Sequence, residues 1–172
     1  ANNYLFNQNI SSWDVSSVID MSWIFVYAYS FNQPIGDWDV SNVRDMSDMF
    51  NTAEVFNQPI GNWNTGNVTA MVRMFYRATN FNQPIGSWDV SNVTDMTNLF
   101  VENTSFNQPI GDWDVSSVTD MTQMFLRSSF NQPIGDWDVS NVRDMLNMFN
   151  QTEYFNQPIG NWDVSNVNRM FR

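Results

Sequence analysis

The stretch from Phe31 to Phe50, which reads FNQPIGDWDVSNVRDMSDMF, decides the fold because close copies of it fill the chain. Its opening Phe-Asn-Gln recurs at seven positions, separated by five spacings of 25 residues and one of 24. A fixed period of this length is typical of a solenoid, in which each coil contacts only its neighbours. Residues 1–172 are therefore predicted to form a single solenoid, with repeats starting at Phe6, Phe31, Phe56, Phe81, Phe106, Phe130 and Phe155.

Both termini fall inside the repeat. Residues 1–5 are interpreted as the tail of a preceding coil, and the last coil is interpreted as incomplete because the chain stops at Arg172. We expect the chain to be a fragment of a longer solenoid.

The amino-acid composition of the chain argues against several classes of function. Seven Arg, no Lys and 18 acidic residues give a net charge of −11, which argues against binding nucleic acid or anionic membranes and favours cations or basic partners. The chain has no Cys and no His, so it lacks thiol catalysis and thiolate metal sites. No apolar run reaches the length of a membrane-spanning helix, so no membrane insertion is expected.

The residues of one coil predict its local structure. Trp38 and Val40 alternate with Asp39, the pattern of a short strand buried on one face. The apolar residues from Val43 to Phe50 follow helical spacing, and the Pro-Ile-Gly before Asp37 predicts a corner in which Gly accepts positive φ. The repeated Asn and Gln side chains are expected to pair between coils. The predicted fold class is an α/β repeat solenoid of seven coils of 24–25 residues, each with a short parallel β-strand and a short helix.

The string Trp-Asp-Val-Ser-Asn-Val-Thr-Asp-Met-x-x-Met-Phe, preceded by Phe-Asn-Gln-Pro-Ile, resembles the 25-residue repeat of BspA-like leucine-rich-repeat surface proteins, including the mycoplasma surface-lipoprotein type. The likeness covers residues 6–171. It implies a right-handed leucine-rich-repeat-like coil, a secreted or cell-surface location and a link to adhesion. Ala70 and Arg169 depart from the repeat, since both replace an Asp expected to cap the helix.

One acidic column is the first candidate for binding. Alternation with the buried Trp predicts that its carboxylates lie on the open face of the sheet, close enough to repel one another. They would bind Ca²⁺ or a basic partner, or else accept hydrogen bonds from the Ser or Asn amides that follow or from neighbouring coils. The column comprises Asp14, Asp39, Asp89, Asp114, Asp138 and Asp163, with Asn64 in the third coil.

The first coil carries large aromatic residues where other coils are polar. Trp23, Tyr27 and Tyr29 occupy columns that elsewhere hold residues such as Asp48 and Glu54. Trp23 and Tyr27 would share one face of a helix at i, i+4 spacing. This predicts either an exposed contact patch for a partner or packing against a preceding N-terminal cap or domain.

Glycosylation and catalysis leave weaker signals. Asn103 and Asn150 begin Asn-x-Ser/Thr triplets in the variable return of their coils and are candidate glycosylation sites. No catalytic residues are predicted, because the acidic residues follow the repeat evenly instead of concentrating in one unusual coil.

Three functions are consistent with these patterns. The first is a non-enzymatic scaffold for protein or cell-surface interaction, in adhesion or in a coat. The second is a structural element that self-associates end to end through uncapped coils. The third is a Ca²⁺-dependent binding module that uses the Asp column.

Overall fold

The computed structural model describes residues 4–171, so residues 1–3 of the expected preceding coil lie outside the described part. Successive coils stack in parallel, with a bridge linking the same position of neighbouring repeats from Asp20 and Asp45 through to Asp144 and Arg169. Between residues 4 and 171 there is no helix and no strand longer than these isolated bridges. The predicted α/β coil, with a strand and a helix in each repeat as in leucine-rich-repeat proteins, is therefore wrong.

Consecutive turns replace the predicted helix. In the second coil, the N–H groups of Met49, Asn51 and Ala53 each donate to the carbonyl three residues earlier, at 3.2, 3.1 and 3.0 Å. The N–H groups between them point along the stack, as shown by Asp48 donating to Val72 at 2.8 Å and Phe50 to Met74 at 2.9 Å. An α-helix would direct all of these donors to carbonyls four residues earlier, so the two patterns exclude each other.

Positive φ angles make this arrangement possible. Asp48 and Thr52 have φ of 59° and 60°, and each is the third residue of its turn, where a type II turn requires positive φ. The same two positions recur in every coil from the first to the sixth. The first αL column comprises Trp23, Asp48, Arg73, Asn98, Gln123 and Asn147, and the second comprises Tyr27, Thr52, Arg77, Glu102, Arg127 and Gln151.

Side chains join the coils where a strand was predicted. Residues 31–43 make no backbone–backbone hydrogen bond to a neighbouring coil. Instead, Trp63 Nε1 donates to the Ile35 carbonyl at 3.1 Å, and Asn32 Oδ1 accepts from the Asn57 N–H and from Gln58 Nε2, both at 2.9 Å. The predicted pairing of repeated amides is confirmed, and it satisfies backbone donors that a sheet would otherwise satisfy.

The core is a continuous strip of aromatic and aliphatic side chains. Phe50 stacks on Phe56 with ring centroids 3.9 Å apart, and on Phe75 of the next coil at 5.7 Å, so two Phe columns interleave along the stack. The Trp side chains of the second to sixth coils are at most 4% exposed. The helical spacing therefore identified the correct buried residues, although turns bury them.

The glycines have a different role from the one predicted. No glycine of the described chain has positive φ, so the corner does not need glycine for its φ. A Cβ on Gly86 would instead lie 2.5 Å from the carbonyl oxygen of Pro109 in the next coil, and one on Gly111 would lie 2.7 Å from that of Pro133. Glycine is required because neighbouring coils approach closely at this edge.

Replacing a residue of the αL columns by glycine should stabilise the chain. Gln123 has φ of 55° and its side chain makes no hydrogen bond. An L-residue in this conformation costs about 1–2 kcal/mol, and glycine avoids that cost. Glycine loses more backbone entropy on folding, however, and this loss cancels about half of the stability gained. We expect Gln123→Gly to raise the free energy of unfolding by about 0.5–1 kcal/mol, measured by urea denaturation.

The matched control for this substitution is Glu153→Gly, because Glu153 is exposed and its φ is not positive. That variant should lose stability. Equal effects at the two positions would contradict the assignment of strain to the αL columns.

Candidate functional site

The predicted acidic column lies on the surface, opposite the buried Trp column. Its carboxylates cap turns: Asp89 Oδ1 accepts from the Ser91 N–H at 3.0 Å and from Ser91 Oγ at 2.6 Å. Asp14, Asp114 and Asp138 accept the same two bonds from their Ser, whereas Asp39 and Asp163 accept from the Ser N–H. The Asn64 that interrupts the column accepts from the Gly66 N–H at 3.3 Å. The described residues include no group of three or more His, Cys, Asp or Glu that could hold a metal ion.

These bonds change the acidity of the column. The Ser hydroxyl and then the Ser backbone N–H hold the carboxyl pKa below its ordinary value of 3.8, and this applies to Asp14, Asp39, Asp89, Asp138 and Asp163. A pKa lowered by folding stabilises the fold at pH values above the unfolded pKa. That stabilisation is lost as the pH falls through the lowered value, so these five carboxylates should contribute to acid unfolding below about pH 4.

A single substitution tests this account. We expect Ser91→Ala to raise the pKa of Asp89 towards its ordinary value, because the hydroxyl is the largest cause of the lowered pKa. The pKa would be measured by NMR titration of the side-chain carboxyl carbon. Ser87→Ala is the control, since Ser87 Oγ donates to the Gly61 carbonyl and bonds no carboxylate. An unchanged Asp89 pKa would contradict the assignment.

The aromatic residues of the first coil lie together, but not on a helix. Trp23 and Tyr27 have φ of 65° and 57° and begin the two αL columns, with 52% and 40% of their surface exposed. Tyr29 is half-buried and stacks on Tyr4 with ring centroids 5.3 Å apart. Trp23 and Tyr27 therefore present their rings on the outer surface, whereas Tyr29 is partly covered by the preceding turn.

Residues of both αL columns, the first as far as Gln123 and the second as far as Arg77, line one open cavity of about 500 Å³. We call this surface the αL face. Two residues outside the columns, Asn51 and Tyr76, also contribute to the cavity wall. The cavity extends from Trp23 in the first coil to Gln123 in the fifth, a distance of about 19 Å at the usual spacing of parallel strands.

Arginine–carboxylate pairs organise the αL face. Arg73 binds Asp48 through two bonds, Nε to Oδ1 at 2.8 Å and Nη2 to Oδ2 at 3.0 Å, and the Asp48 side chain is only 1% exposed. Asn51 Nδ2 donates to the same carboxylate at 2.6 Å. The guanidinium of Arg73 also lies over the Trp23 ring, 5.8 Å from its centroid.

A second pair follows in the next column. Arg77 binds Glu102 at 2.8 and 3.3 Å, and Arg127 reaches the same carboxylate at 3.2 Å from the other side. The Arg77 guanidinium lies 5.4 Å from the centroid of the Tyr76 ring. The pKa of Glu102 is lowered, chiefly by the bond from Arg77. The charges of this face are therefore largely neutralised within it.

Sequence reasoning found Trp23 and Tyr27 but missed the rest of the cavity. In later coils, the position equivalent to Trp23 holds Asp48, Arg73, Asn98 and Gln123. From the sequence, these could be recognised only as variable surface residues. Positive φ would have grouped them, yet the columns hold neither Gly nor a run of Asn that would indicate it.

The candidate glycosylation sites are poorly accessible. Asn103 is fully buried, and its Oδ1 accepts from the Phe106 N–H at 2.9 Å. Asn150 is half-buried, with its amide nitrogen 3.4 Å from Asn147 Oδ1. No helix within residues 4–171 is long and apolar enough to cross a membrane.

A family described as "Mycoplasma protein of unknown function, DUF285" matches the chain twice, over residues 1–98 and over residues 83–172. The two matches overlap and together cover the whole chain, in agreement with its tandem repeats. No curated protein and no solved structure matches it.

Proposed function

Since the chain belongs to the mycoplasma repeat family of unknown function, DUF285, we propose that it is a non-enzymatic repeat scaffold of a secreted or cell-surface protein that binds a partner through its αL face. The resemblance of its repeat string to BspA-like surface proteins supports the location and rests on the sequence motif alone. The proposal for the binding face rests on the geometry of the αL columns.

This proposal rests on which residues occupy the twelve αL positions. Folding alone favours Gly, Asn or Asp in this conformation. These positions instead hold Trp, Tyr, Thr, Glu, two Gln and three Arg beside only two Asn and one Asp. Elsewhere in the coil, the positions that build the fold repeat nearly unchanged. Strained residues of varied chemistry are typical of a surface maintained for contacts rather than for folding.

Charge distinguishes the αL face from the remaining surface. Its two columns hold three Arg against two carboxylates, in a chain whose net charge is −11. A partner that carries negative charge would be repelled less by this face than by the acidic remainder of the surface. The Asp column caps turns, and for this reason we place the binding face elsewhere. End-to-end self-association and Ca²⁺-dependent binding stay predictions.

An antibody raised against the chain tests the location. Intact cells that produce the protein should bind the antibody, or the antibody should detect the protein in the culture medium. Labelling that requires lysis of the cells would contradict a surface role. A protein of the same cells known to be cytosolic serves as the control for leakage.

A further inference from the structure

We propose that the cavity of the αL face binds a neutral, linear oligosaccharide, an inference that rests on the proposed binding role of this face. The cavity volume of about 500 Å³ lies within the range of small-ligand sites. Its length along four coil intervals, about 19 Å, suits a chain-like ligand lying along the stack.

The cavity wall combines aromatic rings with planar amide groups. A sugar ring has an apolar face of C–H groups and a rim of hydroxyls that both donate and accept hydrogen bonds. Trp23, Tyr27 and Tyr76 supply flat apolar surfaces in the cavity wall. Asn98 and Gln123 supply amides, each of which can donate and accept as hydroxyls require.

The arginine and carboxylate side chains at the cavity already bind one another. Asp48 is satisfied by Arg73 and Asn51, and Glu102 is satisfied by Arg77 and Arg127. A charged ligand that took a guanidinium or a carboxylate of these pairs for itself would leave the former partner unpaired, which is costly where the carboxylate is buried. A neutral ligand can use the remaining N–H groups of the guanidinium groups without separating the pairs.

One buried hydrogen-bond acceptor of a cavity-lining residue has no partner. The Oδ1 atom of Asn98 is buried and has no hydrogen-bond partner, although the residue lines the cavity. A buried acceptor without a partner costs free energy that a bound hydroxyl would recover after a small rotation of the amide. The side chain of Gln123, next along the column, likewise makes no protein hydrogen bond that would compete with a ligand.

The test uses the whole chain on an array of neutral, sialylated and sulfated oligosaccharides, followed by calorimetric titration with the best neutral ligand. We expect binding to neutral linear sugars. Trp23→Asn removes the ring but retains a residue suited to positive φ, and it should weaken binding at least about tenfold. Tyr154→Asn is the matched control, because Tyr154 is 64% exposed and lies outside this cavity.

A second measurement does not depend on any variant. The indole N–H groups of six of the eight Trp donate to Ile carbonyls of the preceding coil. Of the two others, Trp13 and Trp23, both exposed, only Trp23 lines the cavity. Adding the sugar should shift the Trp23 indole N–H resonance and leave those of Trp13 and the six bonded Trp in place. A shift spread equally over all Trp would overturn the site.

The remaining outcomes separate the two proposals. Binding only to sialylated or sulfated sugars, equal weakening in both variants, or no neutral sugar bound at millimolar concentration would overturn the oligosaccharide inference. In that case the scaffold role stands if the cells bind the antibody when intact. A chain found only inside cells would overturn the scaffold role, while specific sugar binding on the array would still support the cavity assignment.

Discussion

Gly86→Ala should be among the most damaging single substitutions in the chain, lowering the free energy of unfolding by about 3 kcal/mol or more. Its Cβ would lie 2.5 Å from the carbonyl oxygen of Pro109, a backbone atom of the next coil that no rotamer change can move. For a chain of this size such a loss lowers the midpoint of thermal unfolding by about 6–12 °C, which circular dichroism would measure.

Two other glycines provide graded controls for this prediction. A Cβ on Gly66 would meet Asp89 Oδ2 at 3.1 Å, and that side chain can move, so Gly66→Ala should have a small effect. A Cβ on Gly160 would meet nothing within 4 Å, so Gly160→Ala should be close to neutral. If all three variants lost equal stability, the cause would be the conformational preference of glycine rather than the contact between coils.

Arg73→Met should have the second large effect, a loss of about 2–3 kcal/mol in the free energy of unfolding. The substitution leaves the Asp48 carboxylate, 1% exposed, without its bidentate partner. Breaking a fully buried pair costs about 3–5 kcal/mol, and the 39% exposure of the Arg73 side chain reduces that figure. Urea denaturation of the variant and the wild-type chain would measure the difference.

The matched control for Arg73 is Arg77→Met, in the neighbouring column. Glu102 is 26% exposed and keeps Arg127 as a second partner, so this loss should stay below about 1 kcal/mol. The double variant Arg73→Met, Asp48→Asn should recover part of the lost stability, because the unpaired buried charge is removed. No recovery would show that Arg73 acts through packing, for example over the Trp23 ring.

Residue-level reasoning predicted which side chains are buried, since hydrophobicity depends little on the backbone that delivers it. The Phe, Trp and Met columns form the core, and repeated residues such as Asn32 and Gln33 bond between coils. The hydrogen bonds from Ser to the Asp column were one of two open alternatives, and they occur. These features follow from the repeat, because a side chain at a fixed position meets its own copy in the next coil.

Backbone conformation could not be predicted in the same way. Apolar residues at positions 43, 46, 49 and 50 fit one face of a helix, but consecutive turns bury the same four residues. Only the stacking of coils distinguishes the two, because donors such as the Asp48 N–H find their acceptors in the next repeat. Those long-range bonds offset the cost of positive φ in residues such as Trp23 and Arg77, for which local preference predicts the opposite.

The sequence by itself determined the period, the solenoid stack, the buried columns and the exceptional first-coil aromatics, because each depends on residue identity at a repeated position. The tertiary structure alone decided the turn-built coil, the need for glycine beside the next proline, and the cavity that joins Trp23 to Gln123. Those two residues are 100 positions apart in the chain, and only stacking at a period of 25 brings them onto one face.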